Sequence, residues 1–421
     1  MTESATPQTA QAESLAALIR QRDFMLFWIS RFLDILGAQA QGVTIAWQVY
    51  ELARNGGTSV RQAAFQLGGI GLAQFLPLFA LSLFAGDTAD RHDRRTIVVV
   101  CILVEIVCVG ALAAMSFSGA ASFWLIVCLA VVFGGARAFY NPASTALAPM
   151  LVPTPLLPRA IAWNSLSWQS ASIVGPALGG LLCAISPAVS YSVVAVIYLV
   201  SIGALLLVKV PQTHVRQTAS RIALAKEGLV YVWRQKIVFG SISLDLVAVL
   251  LGGATALLPV FAKDILHVGA LGFGQLRSAP AIGATIVAVL LAVRPIRKHA
   301  GLAMFTGVAV FGAATLVFAL SKSMILSVIA LSLLGAGDMV SVFVRQSLVQ
   351  IVTPDHMRGR VAAVSTLFIG ASNELGEFES GVAARLLGPV GAAVFGGVGA
   401  LIATGVWAKL FPDLRKADRL A

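Results

Sequence analysis

Three observations predict an all-α integral membrane protein with twelve transmembrane helices in two pseudo-symmetric six-helix bundles. The first is composition: of 421 residues, 58% are hydrophobic and 12% charged, against about 25% charged in soluble proteins. The mean hydropathy is +0.88. The second is a series of apolar runs, each of about the 20 residues needed to cross roughly 30 Å of hydrocarbon. The third is an internal repeat. Closed β-barrels also span lipid, but their strands alternate over short segments and these runs do not.

The runs fall at about 24–50, 62–86, 96–117, 122–150, 162–186, 188–209, 237–262, 273–293, 301–320, 324–352, 361–387 and 389–410. Residues 1–23 are polar and lack the short apolar core and small-residue cleavage site of a signal peptide, so the first run is expected to stay as a helix. Lys and Arg placement sets the orientation. With the N-terminus inside, most of the 30 basic residues fall in inside segments. Arg54, Arg61, Lys263, Arg277, Lys322 and Arg385 fall in outside loops or at their edges. Both termini are therefore expected in the cytoplasm, with tails at 1–23 and 411–421, bundles at 24–209 and 237–410, and a linker at 210–236. In that linker Ile222, Ala225, Leu229 and Trp233 recur at helical spacing, which predicts an interfacial amphipathic helix. The net charge of +11 is then a topology signal and calls for no nucleic acid.

The halves repeat each other. At one constant offset Gly134 meets Gly335, Arg137 meets Asp338, Pro153 meets Pro354, Arg159 meets Arg360, Gly175 meets Gly376 and Gly180 meets Gly381. At a second offset Asp34 meets Asp245, Gly42 meets Gly253 and Val49 meets Val260. These matches sit in spans 1/7, 4/10 and 5/11. Secondary transporters are often built from such repeats, with the site between them.

Ionisable groups inside a membrane cost several kcal/mol unless paired or hydrated, so each is a functional candidate. Span 1 holds Arg31 and Asp34, span 3 Glu105, span 4 Arg137, span 7 Asp245, span 10 Asp338 and Arg345, and span 11 Glu374 and Glu377. Arg31 and Asp34 are three apart, share a helix face and can pair, as a proton-sensitive carboxylate beside a fixed cation or as a structural ion pair. Glu374 and Glu377 share a face too. Two adjacent acids in a dry site cannot both ionise cheaply, which suits a proton carrier or a cation contact; one Glu facing a hydrated vestibule is the alternative. Arg137 and Asp338, at repeat-equivalent positions, are expected to flank one central cavity from opposite sides. Glu105 has no partner near it in sequence. The aromatics Trp47, Tyr50, Phe139, Tyr140 and Trp163 are candidates to line the cavity.

Other chemistry is not signalled. Cys101, Cys108, Cys128 and Cys183 lie in apolar runs without metal-ligand spacing, and are read as small buried hydrophobes. No phosphate-binding G-x-x-x-x-G-K-[S/T] occurs. No enzyme, metal or cofactor is expected.

The densest charge cluster is Gly86-Asp-Thr-Ala-Asp90-Arg91-His-Asp-Arg94-Arg95, a charged hinge between spans 2 and 3. Gly86, Asp90, Arg91, Arg94 and Arg95 resemble the loop signature of the major facilitator superfamily, and the resemblance covers essentially the whole chain. Arg137 is similar to the span-4 arginine of its proton antiporters. Gly175, Pro176, Gly179 and Gly180 in span 5 resemble the antiporter motif, and a proline there removes a helix hydrogen bond and predicts a kink. Phe139-Tyr-Asn-Pro-Ala143, Met357-Arg-Gly-Arg-Val361 and Leu375-Gly-Glu-Phe378 resemble the bacterial exporter branch that includes the enterobactin exporter. The chain departs from the loop signature at Thr88 and at Asp93, where the family has glycine; Asp tolerates left-handed backbone, so Asp93 is expected to make the turn.

A monomer in a bacterial inner membrane is expected; the resemblance implies a proton antiporter exporting a siderophore- or drug-like small molecule. It also implies that Asp90 meets the positive N-terminal end of helix 11, expected near Val361, as a latch between the halves. An uncoupled facilitator or importer of the same fold, and a non-transporting membrane sensor or assembly protein, are the alternatives.

Overall fold

The computed structural model describes residues 17–210, 221–296 and 298–417. Most of the expected N-terminal tail, residues 211–220 of the linker, Arg297 and the last four residues of the C-terminal tail lie outside the described residues. The first six long helices are α1 (Arg22–Asn55), α2 (Val60–Arg91), α3 (Arg94–Phe117), α4 (Phe123–Leu147), α5 (Leu157–Ile185) and α6 (Pro187–Leu206). The expected linker helix is α7 (Arg221–Arg234), and six more follow: α8 (Lys236–Leu251), α9 (Gly269–Val293), α10 (Ala300–Leu320), α11 (Met324–Val352), α12 (Asp355–Leu387) and α13 (Pro389–Leu410).

Helix is the form each apolar run must take, because in hydrocarbon the backbone has to satisfy its own N–H and C=O groups. Small polar residues start several of them. Ser59, Ser122 and Ser186 accept backbone N–H bonds from Gln62, Leu125 and Val189, the usual N-cap device. Among the described residues 10 helices are long and apolar enough to cross a membrane, where the sequence predicts twelve. The other two long helices, α1 and α12, are diluted by Arg31, Asp34 and glutamines in one and by Glu374, Glu377 and Glu379 in the other.

Three sequence expectations change. The Gly86–Arg95 stretch is no loop: α2 runs to Arg91 and α3 starts at Arg94. Arg277, expected at a loop edge, lies two turns inside α9. Span 7 does not run straight through to 262. It breaks after α8 at Gly252, then continues as a 3₁₀ turn, Ala254–Leu257, and a π turn, Phe261–Ile265.

Packing repeats between the halves. α1 lies on α5 and α6, α2 on α4, and α3 on α4 and α6; correspondingly α8 lies on α12 and α13, α9 on α11, and α10 on α11 and α13. Two seams join the sets, α2 against α12 and α5 against α9. The repeated glycines sit at equivalent contacts. Gly134 of α4 abuts the Gln74 backbone of α2, and Gly335 of α11 abuts the Pro280 backbone of α9. Gly180 abuts Gly274 across one seam, and Gly381 abuts Gly68 across the other. Between membrane helices there is little hydrophobic drive, and small residues permit the close approach that holds them. The outer faces are apolar: Val107 of α3 is 70% exposed while Glu105, two residues away, is 0%.

Gly134→Val and Gly335→Val should each destabilise the protein by about 1–3 kcal/mol, the usual cost of overpacking. Thermal melts of the purified variants measure it, and unchanged melts would show that these crossings are not tight.

Candidate functional site

Three helices bring their buried charges to one point. Arg137 of α4 places Nη1 at 2.6 Å from Asp34 Oδ2 of α1 and 3.3 Å from Glu105 Oε1 of α3. The two acids are fully buried and the Arg137 side chain is 14% exposed. Its guanidinium also lies over the rings of Tyr140, at 4.9 Å, and Phe133, at 5.6 Å. Asp34 Oδ1 and Glu105 Oε2 have no hydrogen-bond partner among the protein groups. One guanidinium thus serves two carboxyls through one nitrogen, and the cluster is neutral only when one carboxyl holds a proton.

This overturns the expected Arg31–Asp34 pair. Arg31 donates instead to Ser144 Oγ at 3.3 Å, while Asp34 turns toward Arg137. A shared helix face permits a pair, but a longer-range partner wins here. Arg137 and Asp338, expected at the sides of one central cavity, each lie beside charged groups of their own half. In the second half Asp245 Oδ2 of α8 lies 3.2 Å from Arg345 Nη1 of α11, with Arg345 2% and Asp245 6% exposed. Asp338 of α11 shares a small cavity with Asp245 and Ser341.

Glu374 and Glu377 do share a face, and it looks across a seam: a Cβ on Gly71 of α2 would stand 3.1 Å from Glu377 Oε2 and 3.8 Å from Glu374 Oε2. Glu377 Oε1 is paired with Arg277 Nη2 at 3.2 Å. The sequence reading missed this partner because Arg277 was assigned to a loop edge; its place within an apolar run was the available signal.

The charged α2–α3 corner is an organiser of helix ends. Arg94 donates to the Ala146 carbonyl near the end of α4, and Arg95 to the Leu205 carbonyl near the end of α6, at 3.1 and 3.2 Å. Helix C-termini carry unpaired carbonyls and partial negative charge, which cations satisfy. Asp90 lies 3.9 Å from Arg94, and Arg91 pairs with Asp87 at 2.9 Å on the surface. Asp93 does not take the expected left-handed turn. Its φ is −61°, and it caps α3 by accepting from the backbone N–H groups of Arg95 and Thr96. Partial burial opposes its charge, but the bonds from Thr96 and Arg95 prevail and hold its carboxyl below the usual range. Helix 12 of this numbering begins at Asp355, a turn and a half before the expected Val361.

In α5 the motif glycines receive two neighbours. Gly175 and Gly179 face Gln39 and Ala40 of α1, and Gly180 faces α9. The helix continues through Pro176 from Leu157 to Ile185.

At the end of the bundle away from Arg91, the π turn meets α1. Asp264 accepts from Tyr50 Oη in a very short contact and pairs with Arg54 at 3.5 Å. Lys263 pairs with Glu51 at 3.4 Å and lies over the Trp47 ring, which stacks on Phe273 of α9. Of the expected cavity aromatics, Trp47 and Tyr50 therefore belong to this junction, Tyr140 to the Arg137 cluster, and Trp163 packs edge-on against Trp28. Glu51 and Asp264 went unremarked in the sequence, and Lys263 was read only as an outside-loop charge, because all three sit at helix ends, where charge is ordinary.

Among the described residues no group of His, Cys, Asp and Glu could hold a metal ion. Cys101, Cys108 and Cys183 are buried, whereas Cys128 is exposed on the outer face.

The profile of the family described as "Transmembrane secretion effector" matches residues 13–421. The chain is 26% identical over 407 residues to the multidrug efflux pump Tap of Mycobacterium tuberculosis, covering 92% of this chain and 93% of that protein. It is 24% identical over 159 residues to macrolide efflux protein A of Streptococcus pyogenes, covering 38% and 37%. Among solved structures it resembles the D-xylose-proton symporter, with TM-score 0.70, 12% identity and coverage of 93% and 98%. It also resembles the nucleoside transporter NupG, with TM-score 0.68, 12% identity and coverage of 92% and 100%. At those identities the structural likeness is one of fold.

Removing one partner of a buried ion pair costs about 3–5 kcal/mol, because the other charge is left uncompensated. Arg137→Met should therefore melt much earlier than the parent, and adding Glu105→Gln should recover part of the loss. No recovery would mean that the two side chains are not coupled.

Proposed function

The chain belongs to the transmembrane secretion effector family of the major facilitator superfamily, and from that premise we propose that it is a proton-driven exporter of drug-like small molecules. The observation that carries this reading is the buried cluster of Asp34, Glu105 and Arg137. Two acids and one guanidinium in a low-dielectric site exist in two charge states that differ by one proton. Arg137 holds Asp34 the more closely, so Glu105 is the carboxyl that exchanges the proton. One proton moving down 100 mV supplies about 2.3 kcal/mol.

In this reading all twelve long helices cross a bacterial cytoplasmic membrane, with both termini and the Arg91 end in the cytoplasm. The halves are 24–209 and 237–410, joined by 210–236. The Lys263–Glu51 and Arg54–Asp264 pairs close the opposite end, so substrate enters from the cytoplasm. Once the far end has opened and released substrate, proton binding at Glu105 from that side neutralises the first cluster and lets its helices re-pack as the far end closes, and the proton leaves to the cytoplasm. Asp90 acts in the other state, as a latch against the positively polarised start of α12. The protein works as a monomer in lipid. The names of the Mycobacterium and Streptococcus relatives support drug-like cargo; they lend nothing to a siderophore.

In inverted vesicles loaded with a pH gradient, ethidium accumulation should collapse on adding an uncoupler and in Glu105→Gln, while exchange at equal pH persists in that variant. Accumulation indifferent to both would point to an uncoupled facilitator. Asp90→Asn should slow transport while ethidium affinity stays near that of the parent, measured by tryptophan quenching; a matching loss of affinity would remove the latch.

A further inference from the structure

The second half holds a cluster that the export scheme above does not use. We propose that Asp245, Asp338 and Arg345 form a second proton-binding site, so that two protons are exchanged for each substrate; the stoichiometry, though not the site, rests on the exporter reading.

The site is built from two helices. Asp245 of α8 and Arg345 of α11 are paired at 3.2 Å and nearly inaccessible. Asp338 lies seven residues before Arg345, two helical turns along the same face. Ser341 falls between them on that face. Its Oγ is buried without a partner, as is Arg345 Nε, and the Ser341 residue is 2% exposed. Asp245, Asp338 and Ser341 line a cavity of ≈ 10 Å³, closed by Ala248, Val249, Val308 and Phe311. That is about the space of one water. A hydroxyl with no acceptor, two carboxyls and room for one water form a short relay, from half-buried Asp338 to buried Asp245.

The charge count repeats that of the first half: two carboxyls, one guanidinium, neutral with one proton. The arrangement does not repeat. Asp245 stands where Asp34 stands, but Asp338 occupies the place of Arg137, and the cation has moved two turns along α11. In the first half the more accessible member is the arginine; in the second it is a carboxyl. The second cluster can therefore take a proton directly, without displacing a cation.

The long helices packed on this cluster bring few other charges, and those of α7 (Glu227, Arg234) and of the C-terminal turn (Asp413, Arg415) pack at the helix ends. α10, which supplies Val308 and Phe311, has no titratable side chain along Ala300–Leu320. α13 has only Lys409, in its last turn, and α8 has only Lys236 at its first residue besides Asp245. α9 has only Arg277, which is paired with Glu377 of α12. The other charges of α12 are Glu374 and Glu379 beside that pair, Arg385 in the last turn, and Asp355, His356, Arg358 and Arg360 near its start. A metal cation is disfavoured, because hard cations take six or more oxygens and Arg345 already occupies Asp245.

Infrared difference spectra of the purified full-length protein, taken across a pH titration, test the site. The parent should show carboxyl carbonyl bands that include one set from each of the two clusters. Asp338→Asn or Asp245→Asn should remove one set, Glu105→Gln the other, and Asp338→Glu should retain a shifted band. Unchanged bands in both aspartate variants would overturn the proposal, and so would loss of the second-half band on adding sodium or lithium at fixed pH. In inverted vesicles at one pH unit and no potential, two protons support about hundredfold ethidium accumulation and one about tenfold; Asp338→Asn should shift the limit from the first to the second. Absence of any gradient-driven accumulation in the parent, with its second-half band intact, would sink the exporter reading and leave the proton site standing.

Discussion

One arginine set between two acids imposes the central constraint on this protein. Arg137, Asp34 and Glu105 come from three helices, and each charge would be prohibitive in hydrocarbon on its own. Their mutual attraction does not make the fold more stable than an apolar core would, since desolvation offsets most of it. What the cluster supplies is a conditional tie. With one proton bound it is neutral and satisfied. Without it two carboxylates compete for one nitrogen, and α1, α3 and α4 are held in different balance.

The second half keeps the packing geometry of the first and differs from it in the charged positions. Gly134 and Gly335 occupy matching crossings, and Gly180 and Gly381 matching seams. Volume is the conserved quantity there, because a side chain would meet backbone. The charged positions tolerate exchange instead. Asp338 replaces the arginine, and Arg345, two turns away, restores the count of one cation for two acids. A buried cluster must balance its charge overall, but any helix position near enough can supply the cation.

What was legible in the sequence follows from that distinction. Apolar runs dictate helices, so the twelve long helices and their two matching packing sets could be read from periodicity and repeat. Buried charge is conspicuous in an apolar run, so Asp34, Glu105, Arg137, Asp245, Asp338 and Arg345 could all be picked out. Which of them meet could not be read. Arg31 sits one turn from Asp34 and still bonds Ser144, because the rotation of α1 against α4 decides the partner. The junction at Lys263 and Asp264 was illegible for a further reason. It depends on a π turn that follows the break at Gly252, and π turns carry no dependable sequence mark although they are frequent at functional sites.

The two kinds of contact between the halves differ in strength, and the difference bears on motion. The pairs at the far end are about a quarter to a third exposed, and ion pairs open to solvent contribute little, about 0–1 kcal/mol each. The glycine seams hold by close packing, to which the α5–α9 seam adds hydrogen bonds from Gln169 Nε2 to the Ala281 carbonyl and from Ser278 Oγ to the Ile173 carbonyl, at 3.2 and 2.8 Å. The far-end pairs do not by themselves fix one arrangement. Within each half the opposite holds: α4 and α6 have their carbonyl ends tied by Arg94 and Arg95, and the buried clusters link α1 to α3 and α4, and α8 to α11. The ties inside each half hold it as a unit: Asp34, Glu105, Arg137, Asp245 and Arg345 lie within the halves, whereas Glu374 and Glu377 face the seam between α12 and α2.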